Sequence, residues 1–197
     1  MAKITAKDVA ELRKITGAPM MDCKKALQES GGNVDKAIEY LRKRGAATAA
    51  KRAEREAKEG VIASYMHGDK LGVLVEVNSE TDFVARNDEF KAFARDIAMH
   101  VAAANPAYLA PEDVPKEVLD KEKEIELEKL KKEGKPANIL DKIWEGKKDK
   151  FFAENCLLKQ SFVKNPDITI EELLSEHIGK IGEKIGIQRF VRYEVGK

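Results

Sequence analysis

Between Thr5 and Gly45, three helix starts and three helix stops follow one another at short intervals, and this constrains the fold more than any other feature of the chain. Thr5 stands at an N-cap position with Asp8 three residues on, where a carboxylate returns a bond to the cap, and Ile4 can staple onto Val9. Val9, Leu12 and Ile15 form an apolar stripe, and Gly17 is the natural stop. Pro19 opens a second helix, where its missing N–H costs nothing. Met20, Cys23 and Leu27 are its expected buried positions, and Gly31-Gly32 ends it. Asn33 caps a third helix with the stripe Val34, Ala37, Ile38 and Leu41, and Gly45 reads as its terminator. Helices this short cannot each hide an apolar face alone, so residues 1–45 are expected to pack as a three-helix N-terminal domain.

Beyond it the pattern changes. Ala46, Ala49, Ala50, Ala53 and Ala57 keep helical spacing among charged residues, which predicts a solvated linker helix over 46–59. Val61–His67 and Leu71–Asn78, separated by Gly68-Asp69-Lys70, read as an antiparallel hairpin. Phe90, Phe93, Ala94, Ile97, Val101 and Ala104 return to helical spacing until Asn105-Pro106. Residues 111–158 read as a charged helical hairpin insertion: 116–133 has a poor apolar stripe, Gly134-Lys135-Pro136 turns the chain, and Ile139, Leu140, Ile143 and Trp144 begin the return helix toward Phe151 and Phe152. A helix over 168–185 is predicted from the cap Thr169, Glu172 three residues on, and the stripe from Ile170 to Ile185. Ile187–Val195 reads as a final strand that would complete a three-stranded antiparallel sheet. The expectation is an α+β chain, with a core domain over 60–197 following the bundle and linker.

Charge excludes some functions and leaves others open. Lys and Arg number 36 against 35 Asp and Glu, for a formal net charge of +1, so there is no global drive toward phosphate backbones or anionic membranes. The start has no signal-peptide pattern and no apolar run approaches a membrane span, which predicts a cytoplasmic protein without membrane contact. Cys23 and Cys156 are far apart in sequence and form no CxxC pair, consistent with free thiols in a reducing compartment. His67, His100 and His177 stand in no metal-ligand spacing, and there is neither a Walker A motif nor a GxGxxG motif. No catalytic residue, metal site or cofactor is therefore expected.

Three segments invite a binding role. Ile178-Gly-Lys-Ile-Gly-Glu-Lys-Ile185 has the GxxG form with which KH domains clamp a nucleic-acid backbone. Ile181, however, falls on the apolar stripe, and a final strand follows almost at once, so glycines that permit close packing are the favoured reading. Arg42–Lys58 is rich in cations but interrupted by Glu54 and Glu56, as on a solvated helical face. The most informative stretch is Asn78–Asn87, Asn-Ser-Glu-Thr-Asp-Phe-Val-Ala-Arg-Asn, between the hairpin and the Phe90 helix. A carboxylate beside an aromatic ring at such a junction makes a compact wedge for a partner's cleft.

Thr81-Asp-Phe-Val-Ala-Arg-Asn87 resembles the signature segment of the elongation factor Ts family. So does Leu12-Arg-Lys-Ile-Thr-Gly-Ala-Pro-Met-Met-Asp-Cys-Lys-Lys-Ala-Leu27, and Ile178–Val195 resembles the end of that family's core. The resemblance implies a ubiquitin-associated-like N-terminal domain followed by an α+β core. It also implies guanine nucleotide exchange on elongation factor Tu in translation elongation, with no chemistry of the chain's own.

Carried over by position, Asp82 and Phe83 would enter the GTPase and disturb its Mg²⁺ and phosphate contacts, within the segment Thr81, Asp82, Phe83, Val84, Ala85, Arg86 and Asn87. Leu12, Arg13, Thr16, Gly17, Met20 and Met21 would form a secondary partner surface, with His100 a further contact. The chain holds one core unit, for which the resemblance implies a homodimer. Direct nucleic-acid binding is not expected. The alternative is RNA or ribosome binding without exchange, through the GxxG segment and Arg42–Lys58. An adaptor working through the N-terminal bundle is a third reading, and a hidden enzyme is the least supported.

Overall fold

The computed structural model describes residues 4–197. It contains α1 (Ala6–Thr16), α2 (Met20–Glu29), α3 (Val34–Arg52), β1 (Glu59–His67), β2 (Leu71–Ser79), α4 (Asp82–Ala85), α5 (Asp88–Ala104), α6 (Lys116–Lys132), α7 (Ala137–Asn155), β3 (Ser161–Phe162), β4 (Asn165–Thr169), α8 (Ile170–Ile181) and β5 (Ile185–Glu194). The antiparallel sheet has the order β1-β2-β5, and β3 pairs with β4 in a small second sheet. The chain forms two compact units. One comprises Met1–Ile62, Glu76–Ala94 and Glu172–Gln188; the other comprises Ala63–Val75, Arg95–Glu171 and Arg189–Lys197.

In the first unit, α1 begins on the expected capping box, with both the Thr5 and Asp8 bonds present, and ends at Gly17 with φ 67°. Asn33 caps α3 by accepting from the Lys36 N–H at 2.9 Å. Val9, Leu12, Ala18, Cys23, Ala26, Leu27 and Ala37 close a small core, with Ile4, Ile38, Tyr40 and Leu41 packed against it. Three predicted core residues lie outside it: Ile15, Met20 and Val34 are exposed. Each three-residue step along a helix rotates a side chain by about 60°, so Ile15 has turned well away from Val9. Met20 and Val34 occupy first helical positions beyond the core's edge.

Gly45 does not end α3, which runs on through it to Arg52. The predicted linker helix is thus partly the continuation of α3, and residues 56–58 belong to no helix or strand. The reason lies in α8. A methyl group at Gly45 would stand 3.0 Å from the Ser175 carbonyl oxygen, and one at Gly179 would stand 3.0 Å from the Gly45 Cα. The two glycines let the backbones of α3 and α8 touch, the close packing expected of the GxxG segment. An ion pair between Arg42 and Glu176, at 3.2 Å, spans the same crossing. The helix predicted over 168–185 is shorter than expected: it stops at Ile181, Gly182 adopts φ 79°, and Ile185 already begins β5.

In the second unit, α6 and α7 form the expected helical pair, turning at Gly134 with φ 73°. What the weak apolar stripe of α6 concealed is Glu126, buried and bonded to Lys129 at 2.7 Å and Lys147 at 3.0 Å, in a helical pair that also buries Leu130, Leu140 and Trp144. The β3–β4 hairpin was not anticipated, because a two-residue strand leaves no periodicity to read. Cys23 and Cys156 are buried free thiols. Among the described residues, no helix is long and apolar enough to cross a membrane, and no group of side chains could hold a metal ion.

Candidate functional site

The stretch from Ser79 to Asn87 leaves β2 and turns once as α4 before α5 begins. Thr81 has extended backbone and caps this turn, its hydroxyl accepting from the Val84 N–H at 3.4 Å. Val84 and Ala85 point inward at 5% and 4% exposure, whereas Phe83 is 84% exposed. An aromatic ring left in water beside two buried neighbours is costly for the free protein and available to a partner. Asp82 and Arg86 lie on the exposed side, bonded to each other at 2.6 Å. Asn87 closes the segment by accepting the Glu89 N–H at 2.8 Å as α5 starts.

The turn is anchored from two other segments of the same unit. The Glu183 carboxylate accepts both the Thr81 N–H, at 3.1 Å, and the Thr81 hydroxyl, at 2.8 Å. Its neighbour Glu80 accepts from the Lys184 backbone N–H at 2.6 Å, from Arg52 at 2.6 Å and from Arg55 at 2.9 Å. The Lys184 N–H, assisted by the two guanidinium groups, holds the Glu80 carboxyl down at about 2 against a partial desolvation cost. The Lys184 ammonium donates at 2.7 Å to the carbonyls of both Ala53 and Arg55, just past the end of α3. The Ser79 hydroxyl donates to the Thr81 carbonyl at 3.0 Å.

Glu80, Glu183, Lys184, Arg52 and Arg55 were not singled out by the sequence. Glu80 and Glu183 lie 28 and 102 residues from partners they meet here. Arg52 and Arg55 were read as part of a solvated face, and only the fold reveals the carboxylate between them.

On the N-terminal bundle, Arg13, Gly17, Met20 and Met21 are exposed, and Ile15 adds a further apolar side chain. Thr16 is turned to local use: its hydroxyl donates to the Leu12 carbonyl at 2.8 Å and accepts from the Ala18 N–H at 3.3 Å. Leu12 is fully buried in the bundle core. His100, in the second unit, is also fully buried. Its Nδ1 accepts the Val163 N–H at 3.3 Å, so Nε2 is the donor toward Gln160 Oε1 at 3.0 Å. Burial pushes this imidazole below its ordinary pKa, opposed by the Gln160 bond. A direct partner contact is closed to Leu12 and His100 in this conformation; both act by holding their own unit together.

The family model described as "Elongation factor TS" matches residues 2–197. The chain is 60% identical over 195 residues to "Elongation factor Ts" of Carboxydothermus hydrogenoformans, covering 98% of this chain and 90% of that protein. It is 57% identical over 195 residues to the Geobacter sulfurreducens protein of the same name, at 98% and 90% coverage. For the Thermodesulfovibrio yellowstonii protein, again of that name, identity is 56% over 194 residues, at 98% and 97% coverage. A family match from residue 2 to residue 197, together with relatives of this identity, means that the chain belongs to the elongation factor Ts family.

Proposed function

We propose that this chain loosens GDP from elongation factor Tu by inserting Phe83, with Asp82 beside it, into the nucleotide-binding domain of the GTPase. Membership of the family makes the chain a guanine nucleotide exchange factor for elongation factor Tu in translation elongation. The observation that carries the assignment to this turn is the 84% exposure of Phe83 beside buried Val84 and Ala85. Such a ring needs no rearrangement of its own unit to enter a cleft. Burying it is worth roughly 1.5–3 kcal/mol. If all of this opposed nucleotide binding, affinity would change by about one to two orders of magnitude. The rest of the coupling then falls to other surfaces, for which exposed Arg13, Gly17, Met20 and Met21 are the proposed second contact.

The chain works by binding alone, in the cytoplasm, and takes no cofactor. The three-helix bundle is the proposed N-terminal domain, supported by the closed cluster around Leu12, Cys23 and Leu27, although α3 carries it past residue 45 to Arg52. A second copy of the chain is the proposed occupant of the exposed apolar side chains Met66, Leu74, Val191 and Tyr193 of the sheet. Sedimentation of wild type against Tyr193→Lys tests this, and equal monomer fractions would dismiss it.

The deciding experiment is stopped-flow release of a fluorescent GDP analogue from elongation factor Tu. Wild type accelerates release, and Phe83→Ala loses most of the acceleration with its thermal unfolding unchanged. Full acceleration by Phe83→Ala would remove the wedge assignment, and none by folded wild type would remove the exchange reading.

A further inference from the structure

We infer that Glu183 is a positioning residue for the exchange turn, fixing the direction in which Phe83 projects without itself touching the partner. This rests on the wedge reading of Phe83.

A single turn of helix does not hold its own shape in water, because the cost of nucleation exceeds the return from so few internal bonds. α4 is four residues long, and its second side chain is the exposed Phe83. Its direction must therefore be set from outside. Val84 and Ala85 supply apolar anchorage on the C-terminal side. On the N-terminal side the anchor is the Glu183 carboxylate, which takes both the Thr81 N–H and the Thr81 hydroxyl proton. The hydroxyl proton being committed to Glu183, the oxygen's lone pair is left for the Val84 N–H, the bond that caps α4. One carboxylate thus fixes the cap residue and orients its hydroxyl for capping.

The placement of Glu183 is itself determined. Gly182, at φ 79°, turns the chain out of α8 directly before it. Lys184, directly after it, is bonded through its backbone to Glu80 and through its ammonium to Ala53 and Arg55. Glu183 is therefore held on both sides, and it presents two acceptor oxygens to a residue 102 positions away in sequence. The Gly-Glu-Lys end of the GxxG-like segment is accounted for by this task.

The test combines exchange kinetics with hydrogen exchange on the full chain. Glu183→Ala should lower the maximal rate of GDP-analogue release about five- to tenfold, the equivalent of one or two lost hydrogen bonds. The half-saturating concentration should stay within about twofold, because the bundle surface still docks. Glu183→Gln keeps one acceptor but turns an N–H toward a donor, and should fall between the two. In a Phe83→Ala background, Glu183→Ala should have no further effect on rate. The amides of Ala85 and Arg86, bonded to Thr81 and Asp82 carbonyls, should exchange faster in Glu183→Ala while those of α2 do not.

An unchanged maximal rate in both Glu183 variants would overturn the inference, as would equal losses with and without Phe83. If wild type released no nucleotide, or Phe83→Ala matched wild type, the wedge reading would fail. Hydrogen exchange would then decide on Glu183 by itself, with unchanged Ala85 and Arg86 amides counting against it.

Discussion

Replacing Gly45 by alanine should destabilise the protein, although alanine is the better helix former. In the interior of an exposed helix this substitution favours the helix by about 1 kcal/mol. Here the added methyl group would stand 3.0 Å from the Ser175 carbonyl oxygen and 3.6 Å from its carbonyl carbon. Both atoms are backbone of α8, so no flexible side chain can yield, and the helices must separate. Overpacking of this kind costs typically 1–3 kcal/mol, and separating α3 from α8 also weakens the Arg42–Glu176 pair.

Set against the propensity gain, the net loss should be about 0–2 kcal/mol, with the weakened ion pair moving it toward the upper end. At about 2–4 °C per kcal/mol for a chain of this length, the midpoint should drop by up to roughly 8 °C. Gly179→Ala meets the Gly45 Cα at 3.0 Å and should behave alike. The double variant should lose less than the sum of the two, because the first methyl has already opened the crossing. Circular dichroism melts of the three variants provide the measurement. A raised midpoint in Gly45→Ala, or strict additivity in the double variant, would refute the backbone-contact reasoning.

Other outcomes follow from the same structure. The folded Glu80 carboxyl titrates below its ordinary value, so its stabilisation is complete above about pH 4.5 and is lost as pH falls toward about 2. The stability gap between wild type and Glu80→Gln should narrow over that window, and a constant gap would contradict the network. His100 is held neutral by burial, so its contribution is complete above about pH 6.5 and lost as pH falls below that. Nitrogen chemical shifts should show its Nε2–H tautomer persisting to lower pH than that of a free imidazole, and a ring protonated as readily as a free one would be the contrary result. Thr5→Ala removes a cap whose box is intact and should cost about 1 kcal/mol in urea unfolding. Cys23 and Cys156 are fully buried and should react with a thiol reagent only as their units open, at rates that rise with denaturant.

Local chemistry was the most legible part of the chain. The Thr5–Asp8 box, the Asn33 cap, the Gly17 stop and the turns at Gly68 and Gly134 are all set by residues within a few positions of each other, and each is found where the sequence puts it. Gly45 misled because a glycine that ends a helix and a glycine that admits a second helix look the same until the partner is known. The exposed turn at Thr81–Asn87 was visible as a motif, but its anchors were not. Glu183, Glu80 and Arg52 are ordinary charged residues in sequence, and only the fold brings them together. Leu12 and His100 lie in or near motif segments, yet their burial gives them structural tasks. A motif marks which residues belong together and does not say which of them face outward.

The Asp82–Arg86 pair sits in water, with side chains 51% and 79% exposed, and so adds little to stability. If Asp82 and Phe83 enter the GTPase as proposed, its consequence lies in the encounter with a nucleotide-loaded partner. A bare carboxylate approaching the phosphates of bound GDP would be repelled by about 0.5 kcal/mol per charge at 8 Å in water. With Arg86 as a built-in counterion, the advancing tip is locally neutral, and that long-range repulsion is largely cancelled. Association should then depend only weakly on ionic strength, whereas Arg86→Ala should associate more slowly at low salt and recover as salt is added.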